Sequence, residues 1–219
     1  MKQDKRENLS IAQMIVLLED FFNWKFKAVQ LESHGLDHHR RVWNYARELT
    51  GQEAQQAGDE FNTKLLIACY LHDIGMSVDA GEKHGQWSRK LCEEFLSGIH
   101  QVKENFSDLL DAIEYHDNKN YSEDTGVNSL LLYLSVADDL DAFGYTGVFR
   151  YLEIYLRRGI KPSEIGSLVI KNARSRFTNF ENHFGKYPRL LEKHRSRFKI
   201  VIDFFSNLDA ELADKQASI

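Results

Sequence analysis

The chain has 219 residues, of which 42% are hydrophobic, and its formal net charge is −5. This length supports one sizeable core, and the negative charge offers no basic surface for binding a nucleic acid polymer. Two cysteines, Cys69 and Cys92, are too few for a disulfide framework or a thiolate zinc site. No apolar run is long enough to predict a membrane span, and the charged N-terminus does not resemble a signal peptide. We therefore expect a cytoplasmic protein.

Helical periodicity dominates the sequence, and no turn-bounded alternating run predicts a strand. We therefore expect an all-α fold. Ser10 is a predicted N-cap, and Pro162 fits the first turn of a helix, where its missing N–H costs little. The predicted helices cover residues about 11–31, 36–51, 60–73, 85–97, 106–116, 129–143, 147–159, 162–180 and 188–212.

The sequence contains no repeat, low-complexity tract or clear domain boundary. We expect a single helical domain over residues 1–219, with the motif-bearing core at about 30–150 and a helical extension at about 151–219. The last two predicted helices would form a hairpin that packs on the core.

Side chains that can bind a metal fall near the ends of several predicted helices. His72 and Asp73 directly follow the apolar run LLIACYL. Neighbouring residues on a helix point about 100° apart, so both can reach one ion only near a helix end. Gly75 is predicted to end this helix. Other helices must then complete the site, and His38 and Asp138 are the best-placed candidates.

Two imidazoles and two carboxylates make a set of hard and borderline ligands that contains no thiolate. Such a set leaves positions open on an octahedral ion. It suits Mn, Fe, Ni, Co or Mg better than a closed structural zinc site.

Five short segments occur in an order that can be compared with a known family. The segments are HHRRV at 38–42, HDIG at 72–75, KHGQWSRKL at 83–91, IEYHD at 113–117 and VADDLDAFGYTGVFR at 136–150. Together they resemble the motifs of the HD superfamily of metal-dependent phosphohydrolases. The resemblance implies an HD-type helical bundle with additional C-terminal helices.

The resemblance also implies ligands by position. His38, His72, Asp73 and Asp138 match the family's metal set, which would hold one divalent ion or two. His84 and His116 match histidines that bind a second metal, or contact phosphate, in some members. The sequence departs from the family pattern at three positions, which are Met76, Val136 and Asp139.

A hydrolytic mechanism assigns roles to several of these residues. Asp73 would orient the attacking water, and His84 or His116 would supply the proton for the leaving oxygen. Arg41 lies on the same helix face as His38. It would clamp phosphate charge or form a salt bridge with Asp138 or Asp141, and the sequence does not decide between these roles.

The remaining sequence-based expectations concern single residues, one basic run and one loop. Arg150 and Lys83 are weaker phosphate-binding candidates, Asp141 is expected to orient a ligand, and His39 is expected to be exposed. The basic run at 193–199 is expected to be a solvated face. Residues 118–126 form a polar loop that could cover the site.

The reaction that these residues predict is hydrolysis of a phosphate ester or anhydride in a small phosphorylated substrate, with a nucleotide favoured. No nucleic acid polymer or membrane is expected as a partner, and a homo-oligomer is left open. Two alternatives remain at this point. One is an HD-type di-iron oxygenase, and the other is a non-catalytic module that binds a metal or a nucleotide.

Overall fold

A computed structural model describes residues 9–52, 58–100, 103–118 and 129–216. Within these ranges the chain forms only helices and turns, which confirms the all-α prediction. The α-helices in chain order are α1 Ile11–Phe26, α2 Leu36–Thr50, α3 Asp59–Leu71, α4 His84–Gly98, α5 Ser107–Tyr115, α6 Ser129–Asp141, α7 Gly144–Arg157, α8 Pro162–Phe184 and α9 Pro188–Gln216. None of the described helices is long and apolar enough to cross a membrane.

The helix starts follow the local signals in the sequence. Ser10 caps α1 through a capping box, in which its hydroxyl accepts from the Gln13 amide and the Gln13 side chain accepts from the Ser10 amide. Pro162 occupies the first turn of α8. The helix ends differ more from the prediction, because α1 ends at Phe26 and α9 extends to Gln216.

Helix α3 lies at the centre of the bundle. Its residues from Leu65 to Leu71 are all buried, and it packs against α1, α2, α5 and α6. A helix that is apolar on every side is stable only when neighbours surround it. The end of this central helix therefore carries His72 and Asp73 directly into the interior.

The C-terminal helices form the predicted hairpin and support the end of α6. Helices α8 and α9 pack against each other, α8 also contacts α6, and α9 contacts α7. The Arg197 guanidinium donates to the carbonyl oxygens of Leu140 and Phe143, at 2.9 and 2.8 Å. These contacts cap the C-terminus of α6. Residues 193–199 were expected to be a solvated face, and Lys193, Arg195 and Lys199 are exposed as expected. Arg197 and His194 differ, because Arg197 binds α6 and His194 is buried.

Gly75 acts through close packing, and not as the helix stop that we expected. Helix α3 ends at Leu71, and Gly75 lies inside a following 3-10 turn, Ile74–Ser77. Its amide donates to the Ser88 hydroxyl at 2.8 Å. A Cβ at this position would overlap the His84 carbonyl oxygen and would lie 2.5 Å from the Ser88 nitrogen. Gly75 thus lets α4 touch the backbone beside Asp73.

The substitution Gly75→Ala is expected to lower the free energy of unfolding by about 1–3 kcal/mol, because backbone atoms must move to admit the methyl group. Urea denaturation followed by circular dichroism measures this change. Gly98→Ala is the matched control, since a Cβ there meets nothing within 4 Å. Equal unfolding midpoints for the two variants would contradict the packing role of Gly75.

Candidate metal centre

Histidine and aspartate side chains from three helices and from the turns after α3 and α5 converge at one buried point. Two overlapping groups, His38–His72–Asp138 and His72–Asp73–His116, each have donor atoms within 4.8 Å of one another. His38 Nε2 lies 3.2 Å from His72 Nε2, and 3.7 Å from an oxygen of Asp138. The structure thus brings together all four residues of the predicted ligand set, including Asp73 at 3.5 Å from His38.

The Asp73 carboxylate lies between two sets of imidazoles. Its Oδ2 atom is 3.5 Å from His38 Nε2 and 3.3 Å from His72 Nε2. Its Oδ1 atom is 3.0 Å from His116 Nε2 and 3.5 Å from His84 Nε2. Because its two oxygens face different histidine pairs, Asp73 could bridge two cations as well as bind one.

The histidines of the cluster are oriented by hydrogen bonds at Nδ1, the ring nitrogen that points away from Asp73. The acceptors are Cys69 O for His72, Gly81 O for His84, Ile113 O for His116 and Asp141 Oδ2 for His38. A carbonyl or ionised carboxylate oxygen only accepts, so Nδ1 carries the proton in each ring. In a neutral ring this tautomer leaves the Nε2 lone pair facing the centre of the cluster, as metal ligation requires, whereas in a protonated ring Nε2 donates towards Asp73.

The charge states of the cluster also suit a cation. Burial by itself would raise the pKa of Asp73, but attraction to His72 and hydrogen bonds from His116, His38 and His72 hold that pKa well below its usual value. Burial lowers the pKa of His72, and neighbouring His116 and His38 lower it further against the opposing effect of Asp73. An ionised carboxylate beside a neutral imidazole is the protonation state in which these side chains bind metals.

A buried ion-pair network surrounds Asp141 behind the cluster. Asp141 is fully buried and accepts from Arg41 Nε at 2.7 Å, from Arg150 Nη1 at 2.9 Å and from His38 Nδ1 at 2.8 Å. It therefore orients His38, as the sequence analysis anticipated. Arg41 adopts the salt-bridge alternative, because its guanidinium binds both Asp141 oxygens and does not line the cavity described next.

A cavity of about 140 Å³ opens beside the cluster. Asp73, His84, His116 and Asp138 are among the residues that line it. Residues of α7, of α8 and directly after α7 also line it, namely Arg150, Tyr151, Ile154, Tyr155, Arg158, Asn172 and Arg176. Ligand-type side chains and arginines therefore border the same small cavity.

Three cavity residues were undervalued or missed from the sequence. Arg150 is 6% exposed and also donates to the Ser33 carbonyl at 2.8 Å, whereas the weak candidate Lys83 is exposed and does not line the cavity. His34 Nε2 lies 3.7 Å from Asp73 Oδ2. The third residue, Arg176, lies on α8. The G-x-x-G-x-x-R segment pointed to Arg150, but no sequence signal pointed to His34 or Arg176.

His39 is buried, contrary to the expected exposure. Its Nδ1 atom donates to the Cys69 carbonyl at 3.1 Å, and its ring packs 4.6 Å from the ring of Phe22. The expectation failed because α1 and α3 both pack on α2, so more than one of its faces is buried. The proposed covering loop falls mostly on residues 119–128, which lie outside the described ranges.

The comparisons with known proteins agree with this geometry. The HD domain family model matches residues 35–143. A solved protein from Lactobacillus plantarum is 18% identical with a TM-score of 0.68, and the alignment covers 94% of this chain and 100% of that one. A predicted HD superfamily hydrolase from an uncultured Thermotogales bacterium is also 18% identical, with a TM-score of 0.56 and coverage of 90% and 92%. No curated protein matches the sequence.

At this level of identity, the two solved structures establish the shared fold and nothing further. The family match covers α2 to α6, which carry the residues of the cluster, while α7 to α9 lie beyond it. The chain belongs to the HD domain family, and its HD domain spans residues 35–143.

Proposed function

We propose that the protein is a metal-dependent phosphohydrolase that cleaves a phosphate ester or anhydride of a small substrate, with a nucleotide as the substrate class. The observation that carries the proposal is the convergence of His38, His72, Asp73 and Asp138 at a cavity that is also lined by arginines. A phosphorylated substrate needs both features, because its charge must be neutralised while water attacks phosphorus.

The residues present fit a divalent cation. Two Nε2 atoms and two carboxylates would hold it, and their hard and borderline character favours Mn, Fe, Co, Ni or Mg. A second cation would use Asp73 Oδ1 with His84 and His116. When bound, such an ion acidifies a coordinated water and polarises a phosphoryl oxygen.

The chain's own groups supply the remaining requirements. Asp73 stays ionised and accepts a hydrogen bond from the attacking water, which orients it. His84 or His116 donates the proton to the leaving oxygen when only one cation is bound. Burial lowers the pKa of His116, but its hydrogen bond to Asp73 and the charge of Asp73 raise it overall, which favours the proton-carrying form. Arg150, 3.8 Å from an Asp138 oxygen, adds positive charge beside the cavity.

The size of the cavity limits the substrate. A volume of about 140 Å³ accommodates a phosphate group with its immediate surroundings. A whole nucleotide would have to extend out of the cavity. A folded nucleic acid or a lipid bilayer would not reach the cluster, so we propose a small phosphorylated molecule as the partner.

The test starts from purified protein that is stripped with a chelator and reloaded separately with Mn, Co, Ni or Mg. Release of phosphate or pyrophosphate is then measured with nucleoside mono-, di- and triphosphates and with simple phosphomonoesters. We expect hydrolysis that depends on added metal and is lost in Asp138→Ala. The exposed residue Asp203 on α9 provides the control variant Asp203→Ala, which should retain activity.

Absence of hydrolysis with every metal and substrate would reject the proposal. Two iron ions per chain together with oxygen-dependent turnover would favour the oxygenase alternative.

A further inference from the structure

The helices beyond the HD domain contribute one wall of the cavity. Residues from α7 and α8 line the cavity, and Arg176 of α8 contacts the predicted ligand Asp138. Its Nη1 atom lies 3.4 Å from Asp138 Oδ2. A guanidinium from a separate helix therefore borders both the cavity and the candidate metal ligand.

The position of Arg176 is held by one residue behind the cavity, Asp139, and by one that lines it, Asn172. Its Nη1 atom donates to Asp139 Oδ1 at 2.7 Å, and its Nε atom donates to Asn172 Oδ1 at 2.8 Å. Asp139 is fully buried and also accepts from the Asn179 amide at 3.1 Å. Asn172 Oδ1 accepts a second hydrogen bond from the Tyr151 hydroxyl at 2.7 Å.

This arrangement distinguishes Arg176 from a purely structural ion pair. Arg176 lines the cavity, whereas Asp139 and Asn179 do not. The buried carboxylate of Asp139 thus holds the guanidinium from behind while part of the side chain, which is 16% exposed, borders the cavity. A guanidinium fixed in advance loses little side-chain entropy when it binds an anion, and its planar shape matches two phosphate oxygens.

We infer that Arg176, positioned by Asp139 and Asn172, binds the phosphate group of the substrate, so that α8 forms part of the substrate site. This inference rests on the proposed function and names the residue outside the HD domain that recognises the phosphate. A phosphate in the cavity would contact both the metal-binding cluster and the guanidinium of Arg176. Substrate recognition would then require α8 as well as the HD domain.

The direct test is calorimetric titration of inorganic phosphate into metal-loaded protein, with the metal content of each variant measured first. Arg176→Gln is expected to weaken phosphate binding by about tenfold to a hundredfold, since a hydrogen bond to a charged group is lost. Arg176→Lys should recover part of the affinity because it restores the charge without the planar fork. Arg174→Gln, an exposed position on the same helix, should bind phosphate as the wild type does.

A positioning role for Asp139 adds a second measurement. Asp139→Asn should weaken phosphate binding in the wild-type background and should have little further effect when combined with Arg176→Gln. If substrates are found, Arg176→Gln should raise KM more than it lowers kcat. If Arg176 had only a structural role, the Arg176 and Asp139 substitutions would not lower phosphate affinity in this dependent way while the protein keeps its metal.

The possible outcomes separate this inference from the proposed function. Arg176-dependent phosphate binding without hydrolysis of any substrate would support the inference and reject the catalytic proposal. Hydrolysis with phosphate affinity within twofold of wild type in Arg176→Gln would reject the inference alone. Loss of metal in Arg176→Gln, or no phosphate binding by the wild type, would also overturn the inference.

Discussion

Replacing His72 and Asp73 together by alanine is expected to remove bound metal and to lower any hydrolytic rate by roughly a thousandfold or more. His72 belongs to both overlapping ligand groups, and Asp73 lies between the two histidine pairs, so the double substitution disrupts every arrangement of the site. The expected magnitude follows from the several kcal/mol that a metal contributes to stabilising charge in the transition state.

Elemental analysis of purified protein measures the first effect without requiring a known substrate. His39→Asn is the matched control, because His39 is also buried and also donates to the Cys69 carbonyl but belongs to neither ligand group. We expect the control to keep its metal. Equal metal content in the double variant and the wild type would refute the proposed centre.

Thermal melting with and without a chelator extends this test to the non-catalytic alternative. A bound cation stabilises the folded state by mass action, so chelation should lower the melting temperature of the wild type but not that of the double variant. A chelator-sensitive melting temperature with no turnover on any substrate would support a metal-binding module that has no hydrolytic activity.

The substitution Asp141→Ala is expected to lower the free energy of unfolding by about 3–5 kcal/mol, because it leaves buried positive charge without its partner. Asp141 is fully buried, and the Arg150 that binds it is only 6% exposed. Denaturant unfolding measures the change. The same variant should bind metal about 10–100-fold more weakly, because His38 loses the acceptor that fixes its ring.

An exposed ion pair with a similar distance provides the control for burial. Lys25 and Glu94 lie 2.7 Å apart, but the Glu94 side chain is 47% exposed. Glu94→Ala should therefore change the free energy of unfolding by no more than about 1 kcal/mol. Similar losses in Glu94→Ala and Asp141→Ala would show that burial of the Asp141 network is not the source of its effect.

The Asp141 network also predicts how stability depends on pH. Burial by itself would raise the pKa of Asp141, but Arg150, His38 and Arg41 hold it below its ordinary value of 3.8. Because the folded protein favours the ionised carboxylate, this contribution is complete well above that pH and is lost as the pH falls through and below it. Asp141→Asn should therefore show a shallower acid-induced loss of stability than the wild type.

The local pattern of the sequence was enough to predict most of the fold. Periodicity, the Ser10 cap and Pro162 predicted the order and approximate positions of the helices, because these signals act over one or two turns. Helix ends such as that of α1 were less well predicted. They depend on where packing against another helix stops, which no local pattern records.

The predicted ligands come together because their motifs lie near helix ends, and the shared fold brings those helix ends to one point. The contacts of the charged residues were not predictable in this way. Arg41 and Arg150 both bind Asp141, although about 100 residues separate Arg41 from it and only 9 separate Arg150. The sequence left Arg41 with two possible roles, and the packing of α2 against α6 determined which carboxylate it meets.

The sequence by itself determined the helical class, the chain order of the elements and the ligand types at the end of α3. Only the tertiary structure decided that Asp73 lies between two histidine pairs and that the backbone of α4 packs directly against Gly75. It also decided that Arg176 of α8 lines the cavity. The physical reason is that periodicity and capping are short-range effects. Distances between side chains on different helices are set by how whole helix faces pack together.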